Sequence, residues 1–168
     1  MPLEIRPAVS ADLPAISRLI ERAYRGDTAK LGWTNEAELL FDPRLQNGEL
    51  ETILFDPAQD LLALFEIGAP LGCVNVAKRD DALAYLGLLC IEPARQGEHF
   101  GRKLLAAAER RARDAFACST IEMTVIEQRT ELIAYYQRRG WAVTGERRDF
   151  PIPLDPPFFM TVLAKSLA

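Results

Sequence analysis

Cysteine is scarce in this chain and scattered. Cys73, Cys90 and Cys118 lie far apart, with neither metal-ligand spacing nor an even count for a disulfide framework, so all three read as small core hydrophobes in a reducing compartment, and no metal site is implied. Long apolar runs are missing too. No segment approaches the ~20 residues needed to span a bilayer, and the opening "MPLEIRP" lacks the apolar core of a signal peptide. The expectation is a soluble, cytoplasmic protein without a membrane partner. Basic excess is absent as well: the formal net charge is -4, which leaves no electrostatic footprint for a nucleic acid. Repeats and low-complexity tracts do not occur. What is present is 168 residues, 49% of them hydrophobic, enough for one domain with a real core, taken as residues 1–168, and too few for two.

Periodicity places the elements. "LEIRPA" alternates like a strand. Ser10 offers an N-cap to a helix in "ADLPAISRLIERAYRG", where Leu13, Ile16, Leu19, Ile20 and Ala23 share one face, Pro14 sits harmlessly in the first turn and Gly26 supplies a stop. Between Asp27 and Pro57 the pattern weakens, with short helices expected in "NEAELL" and "ELETIL". "LLALFEIG" and "LGCVNVAKR" read as strands separated by a turn at "AP", and "ALAYLGLLCI" follows as a third, antiparallel strand. A helix is expected from Phe100 to Phe116 with Leu104, Leu105, Ala108 and Ala112 inward and its arginines solvated. "TIEMTVI" is a strand and "TELIAYYQRR" a short helix closed by Gly140. "WAVTGERRDF" and "FFMTVLAKSL" are strands joined by a proline-rich connection. The order describes an α/β fold, a mixed sheet flanked by helices.

One loop carries a chemical signal. In "IEPARQGEHFGRKLL" a strand passes through two glycines into a helix, an arrangement that presents backbone N–H groups at the positive end of a helix dipole and so suits phosphate. The alternative is a tight turn whose glycines serve geometry alone. The P-loop spelling fails, because only three residues separate Gly97 from Gly101 and no Ser or Thr follows Lys103. The dinucleotide GxGxxG spelling fails for want of glycines.

With "YYQRRG" following at the observed spacing, the strand, "QGEHFGRKLL" and the helix resemble the GNAT N-acetyltransferase superfamily. Its signature is Gln or Arg, two residues, Gly, one residue, then Gly or Ala. Gln96 and Gly101 hold the outer positions, while His99 stands in place of the first signature glycine; histidine tolerates positive φ better than a branched residue does. The resemblance covers nearly the whole chain. It implies a single-domain acyl-CoA N-acyltransferase fold with a mostly antiparallel sheet and a splayed central strand pair. It also implies acetyl-CoA as the acetyl donor and a primary amine, of a small molecule, as the acceptor attacking the thioester directly. A peptide or protein amine, and a coenzyme A-binding sensor without catalysis, are the competing readings. The chain would act as a monomer or homodimer.

The resemblance also implies roles. Leu89, Cys90 and Ile91 match the strand whose main chain pairs with the pantetheine arm. The loop Gln96, Gly97, Glu98, His99, Phe100, Gly101 and Arg102 matches the pyrophosphate site. Tyr136, four residues before Gly140, matches the family's leaving-group acid. A phenol of reference pKa ~10 stays protonated at neutral pH. Tyr135 competes for that role, and a core tyrosine packed beside Leu132 at i, i+4 is the plain structural reading. Arg129 replaces the family's frequent asparagine and either holds a coenzyme phosphate or lies on the surface. The family's usual strand glutamate is missing, which leaves Glu122, Glu127 or a water chain as base. Tyr24, Arg25, Trp33, Thr34 and Glu36, with Arg147 from a late strand, are the candidates for the acceptor pocket.

Overall fold

The computed structural model describes residues 2–25 and 44–168. They form strand β1 (Leu3–Pro7), helix α1 (Leu13–Tyr24), helix α2 (Glu49–Phe55) and strands β2 (Gln59–Glu66), β3 (Ala69–Lys78) and β4 (Leu83–Ile91). Helix α3 (Phe100–Asp114), strand β5 (Thr120–Ile126), helix α4 (Thr130–Arg138) and strands β6 (Ala142–Asp149) and β7 (Phe159–Ser166) complete the order. All seven strands join one sheet in the order β1-β2-β3-β4-β5-β7-β6. Every neighbouring pair is antiparallel except β4 and β5.

The burial pattern follows from this layering. Strand β3, central and covered on both faces, is buried without interruption from Leu71 to Ala77. On one face α3 presses Leu104, Leu105 and Ala108 against Val74, Val76, Leu86 and Ile121. On the other, α1 seats Ile16, Leu19 and Ile20, all at 0% exposure, against Leu61, Ala63, Phe65 and Cys73. Burying each such aliphatic side chain is worth roughly 1.5–3 kcal/mol, which is why the apolar face of α1 matches the face expected from its spacing, residue for residue.

Three local expectations are corrected. Ser10 does not cap α1: it opens a 3-10 turn, Ser10–Asp12, and α1 starts at Leu13. The Asp12 carboxylate accepts the Val9 N–H at 2.8 Å and the Arg6 guanidinium at 2.7 Å. The β2–β3 turn is Ile67–Gly68, not "AP". Both residues have positive φ, 50° and 75°, the requirement of a two-residue type I′ hairpin; Ile67 tolerates it with its side chain turned out to solvent, 72% exposed. Helix α3 ends at Asp114, two residues before Phe116. Short helix "ELETIL" is confirmed as α2, whereas "NEAELL" and the stop at Gly26 lie outside the described residues.

The sheet opens at its centre. Strand β4 pairs with β5 only over Leu83–Tyr85 against Thr120–Glu122, although β4 runs on to Ile91 and β5 to Ile126. The register between β3 and β4 shifts between Cys73 and Asn75, and Leu88 sits at φ 53°. A bulge of this kind bends its strand and strengthens its twist, so the second half of β4 leaves β5 behind. β5 keeps β7 as its partner along its whole length. The splayed central pair is therefore present.

Gly72 sets how closely α3 approaches this region. A Cβ there would lie 2.8 Å from the Cys90 carbonyl oxygen, 2.7 Å from Ile91 Cδ1 and 2.8 Å from Leu104 Cδ1. The first of these neighbours is backbone and cannot step aside. Gly72→Ala is expected to lower unfolding free energy by ~1–3 kcal/mol in urea titrations; a variant as stable as the parent would show that β4 and α3 are free to shift.

Candidate active site

The wedge between β4 and β5 exposes main chain that a continuous sheet would hide. Glu92 N–H donates to Leu71 O at 2.7 Å, and Cys90 opposes Cys73 in the same register, so the peptide groups of Cys90 face β3. Those of Leu89 and Ile91 alternate the other way, into the wedge. This corrects the main-chain role expected of Cys90: its backbone is committed to β3, although the residue itself lines the cavity. Tyr24, at the end of α1, donates its hydroxyl to Leu89 O at 2.6 Å. A residue expected to meet the acceptor thus braces the strand.

The loop that follows is held open by two residues in the left-handed region, Gly97 at φ 91° and His99 at φ 67°. His99 occupies the position before the first helical residue of α3, where glycine is the usual choice because it lacks a Cβ. Arg95 fixes the approach to the loop through Glu66 at 2.8 Å and Glu98 at 2.5 Å. Glu98 is thereby turned onto Arg95, and unlike Gln96, Gly97, His99, Phe100, Gly101 and Arg102 it does not line the cavity. The amides of Phe100, Gly101 and Arg102 belong to the first turn of α3, where N–H groups lack intrahelical acceptors. At Gly101 an added Cβ would meet only the Tyr135 hydroxyl, at 3.5 Å.

Strand, loop and α4 enclose one cavity of about 380 Å³. Among the described residues, its charged lining residues are all arginines: Arg95, Arg102, Arg129, Arg138 and Arg139. In a chain of net charge -4, a cavity whose described wall carries arginines and no carboxylate fits a polyanion. Arg138 and Arg139 went unassigned from sequence, although they stand in "YYQRRG", because charged residues at a helix end usually face solvent. Arg129 is buried, at 8% exposure, which decides against its surface reading.

Tyr136 reaches the same cavity from α4. It is 6% exposed and packs edge-on to Tyr135, ring centroids 5.5 Å apart, with Trp141 at 6.3 Å. Burial pushes its phenol well above the usual tyrosine range, a shift that the nearby Arg129 opposes and Tyr135 reinforces, so the hydroxyl keeps its proton at neutral pH. Tyr135 also lines the cavity, under the guanidinium of Arg139 at 4.5 Å from its ring centroid. The core reading of Tyr136 and its placement on the cavity wall are both realised.

The remaining candidates do not converge here. Arg147 lies outside the cavity wall. It binds Glu127 at 2.8 and 3.0 Å and stacks on Phe159 at 3.6 Å. The hydrogen bond from Arg147 holds the Glu127 carboxyl below its usual range, which makes Glu127 a poor base. Glu122 is buried and receives Arg148 at 2.8 Å. Arg25 donates to the Tyr24 carbonyl at 3.1 Å and is not on the wall. Trp33, Thr34 and Glu36 lie outside the described residues. Among the described residues no group of His, Cys, Asp and Glu is placed to hold a metal, and no helix is long and apolar enough to cross a membrane.

Comparison with known proteins matches this geometry to a family. The family model of the acetyltransferase (GNAT) family matches residues 16–141, and the chain belongs to that family. Its members are acyltransferases that take an acetyl group from acetyl-CoA. Solved structures share the fold at low identity. The alanine N-acetyltransferase of a ribosomal protein from Escherichia coli superposes with a TM-score of 0.76 at 16% identity, covering 99% of this chain and 95% of that one. The yncA protein of Salmonella typhimurium, solved with its cofactor acetyl-CoA, gives 0.73 at 18%, covering 100% and 95%. A spermidine N-acetyltransferase chimera from Vibrio cholerae and hSSAT gives 0.74 at 16%, covering 99% and 96%. No curated protein matches the chain at a significant level.

The left-handed geometry of His99 yields a direct check. Relief of an αL side chain, roughly 1–2 kcal/mol, is offset by the ~0.5–1 kcal/mol that glycine loses in backbone entropy. His99→Gly should therefore melt at or slightly above the parent temperature and hold or improve coenzyme A affinity. A marked fall in melting temperature would assign the imidazole a structural contact that outweighs its backbone.

Proposed function

We propose that this chain is an N-acetyltransferase that moves an acetyl group from acetyl-CoA to a primary amine of a small molecule. The observation that carries the reading is the wedge cavity itself, where β4 backbone without a neighbouring strand, a loop of helix-start amides and a wall whose only charges among the described residues are arginines meet a buried, protonated phenol.

Acetyl-CoA, when bound, supplies an activated acetyl thioester and the phosphates by which it is held. The amides from Gly97 to Arg102, with Arg102, Arg129, Arg138 and Arg139, suit those phosphates. The peptide groups of Leu89 and Ile91, facing the wedge, can pair with an extended amide-bearing arm as a neighbouring strand would, and their N–H groups can stabilise a developing negative oxygen. Tyr136 holds a proton at its hydroxyl, ready for a departing thiolate. With Glu127 locked to Arg147, the proton lost by the amine passes to water. A small acceptor is favoured over a basic peptide because Glu122 in β5, Glu127 just after it and Glu146 in β6 are each tied to Arg147 or Arg148 and so are not free to receive a basic side chain. The acceptors named for the structural neighbours, a protein alanine and spermidine, belong to both classes and do not choose between them.

A screen of amines that follows coenzyme A release, with mass spectrometry of the products, tests the activity. Acetyl-CoA binding without turnover on any amine would favour a coenzyme A sensor. On the acceptor found, Tyr136→Phe keeps the ring against Tyr135 and Trp141 and removes one hydroxyl. It should lower kcat by ~10²- to 10⁴-fold, about 3–5 kcal/mol of transition-state stabilisation, at unchanged coenzyme affinity. Because burial raises this phenol, the parent kcat should show no alkaline loss up to about pH 10, the ordinary tyrosine pKa. A near-normal kcat in the variant would pass the acid role to Tyr135 or water.

Gly101→Val places a branched side chain on the cavity wall beside the Tyr135 hydroxyl. Calorimetry should record acetyl-CoA binding weakened by about tenfold or more, ~1.4 kcal/mol, in a folded protein. Unchanged affinity would remove the phosphates from this loop.

A further inference from the structure

Cys73 and Cys90 have no part in the acyl transfer described, yet their surroundings are unusual for core thiols. They oppose each other across β3 and β4, and their Sγ atoms are 3.7 Å apart. The Cα separation of such a hydrogen-bonded antiparallel pair, ~5.5 Å, falls inside the range a disulfide accepts, so closure to the ~2.05 Å bond length needs side-chain rotation and a small approach of the strands. Cys73 also donates its thiol to the carbonyl of Leu88 at 3.4 Å, and Leu88, at φ 53°, is the residue that bends β4. Cys90 lines the wedge cavity, whereas Cys73 is fully enclosed.

We propose that Cys73 and Cys90 are a modification site: a thiol pair that peroxide converts to a disulfide, and whose closure disables coenzyme binding in the wedge. Cys90, on the cavity wall, is the sulfur that peroxide reaches. Its thiolate attacks one peroxide oxygen and breaks the O–O bond, giving a sulfenic acid, and the departing hydroxide takes up the proton that the thiol released to leave as one water. Cys73 then displaces the hydroxyl from that sulfur, forming the S–S bond and a second water. Two thiols are oxidised and one peroxide is reduced, so the step balances. The order of events agrees with the thiol environments, since the hydrogen bond with Cys90 and then burial hold the Cys73 thiol well above its usual range, which suits the resolving partner rather than the first nucleophile. Closure removes the Cys73 donor from the Leu88 carbonyl and draws β3 toward β4 beside Leu89 and Ile91. The loss of coenzyme binding rests on the acetyl-CoA reading; the disulfide itself does not.

The test treats the full chain with hydrogen peroxide, with and without saturating acetyl-CoA, then alkylates remaining thiols under denaturing conditions and maps the peptides. The expected product is a linked Cys73–Cys90 peptide, formed more slowly when acetyl-CoA is bound. Cys118, held against the carbonyls of Phe116 and Asp80, should stay alkylated and serves as the internal reference. Calorimetry should show coenzyme A affinity reduced about tenfold or more by oxidation and restored by dithiothreitol. Cys73→Ala should bind coenzyme A before and after the same treatment. Absence of the linked peptide, a linked peptide with unchanged affinity, or an equal loss of affinity in Cys73→Ala would each overturn the proposal. Should Cys73→Ala not fold, the wild-type peptide map with dithiothreitol reversal decides. Should the untreated protein not bind coenzyme A at all, the acetyl-CoA reading fails and the peptide map alone judges the thiol pair.

Discussion

Backbone hydrogen bonding is the constraint on which the rest of this structure depends. A strand in the middle of a sheet is expected to pair on both sides, because a buried peptide group without a partner costs as much as a lost hydrogen bond. β4 breaks that rule after Tyr85. The surroundings answer in several ways: the Tyr24 hydroxyl takes the Leu89 carbonyl, the Cys73 thiol takes that of Leu88, and the Tyr85 and Thr124 hydroxyls bridge the two strands at 2.6 Å just past their last pair. The fold therefore keeps a row of main-chain groups facing a cavity instead of a neighbouring strand. A ligand with an extended, amide-bearing arm can complete the sheet.

Charge placement complements this geometry. Most acidic groups near the site are paired with arginines of their own: Glu66 and Glu98 with Arg95, Glu127 with Arg147, Glu122 with Arg148. Among the described residues, the cavity wall itself carries only the positive sign. An acidic chain can in this way offer a strongly cationic pocket, and the helix-start amides of α3 add to the same field. Net charge predicts what the whole surface repels, not what a cavity attracts.

The legible parts of the sequence were those in which a local rule and the tertiary structure agree. The apolar face of α1, the antiparallel run β2–β3–β4 and the strand–loop–helix passage into α3 follow from spacing and turn chemistry. His99 in a glycine position was readable for the same reason, since its φ is positive. Elsewhere local rules misled. Pro70 drew the hairpin turn two residues late because a proline at the start of a strand looks like a turn in sequence. The Cys90 backbone could not be assigned to β3 without the register, which depends on a bulge that leaves no mark in composition. Arg138 and Arg139 were visible as residues but not as a wall, because the direction in which a helix end faces is a tertiary fact.

On the proposed function, the splayed half of β4 and the loop before α3 act as one binding surface for acetyl-CoA. Amide hydrogen exchange read by mass spectrometry in the presence and absence of acetyl-CoA tests it most directly. Ligand-dependent protection is expected in peptides that contain Leu89 to Ile91 and Gly97 to Arg102, with β1 and β6 unchanged. Protection confined to other segments, or tight binding that leaves both of these unprotected, would contradict it.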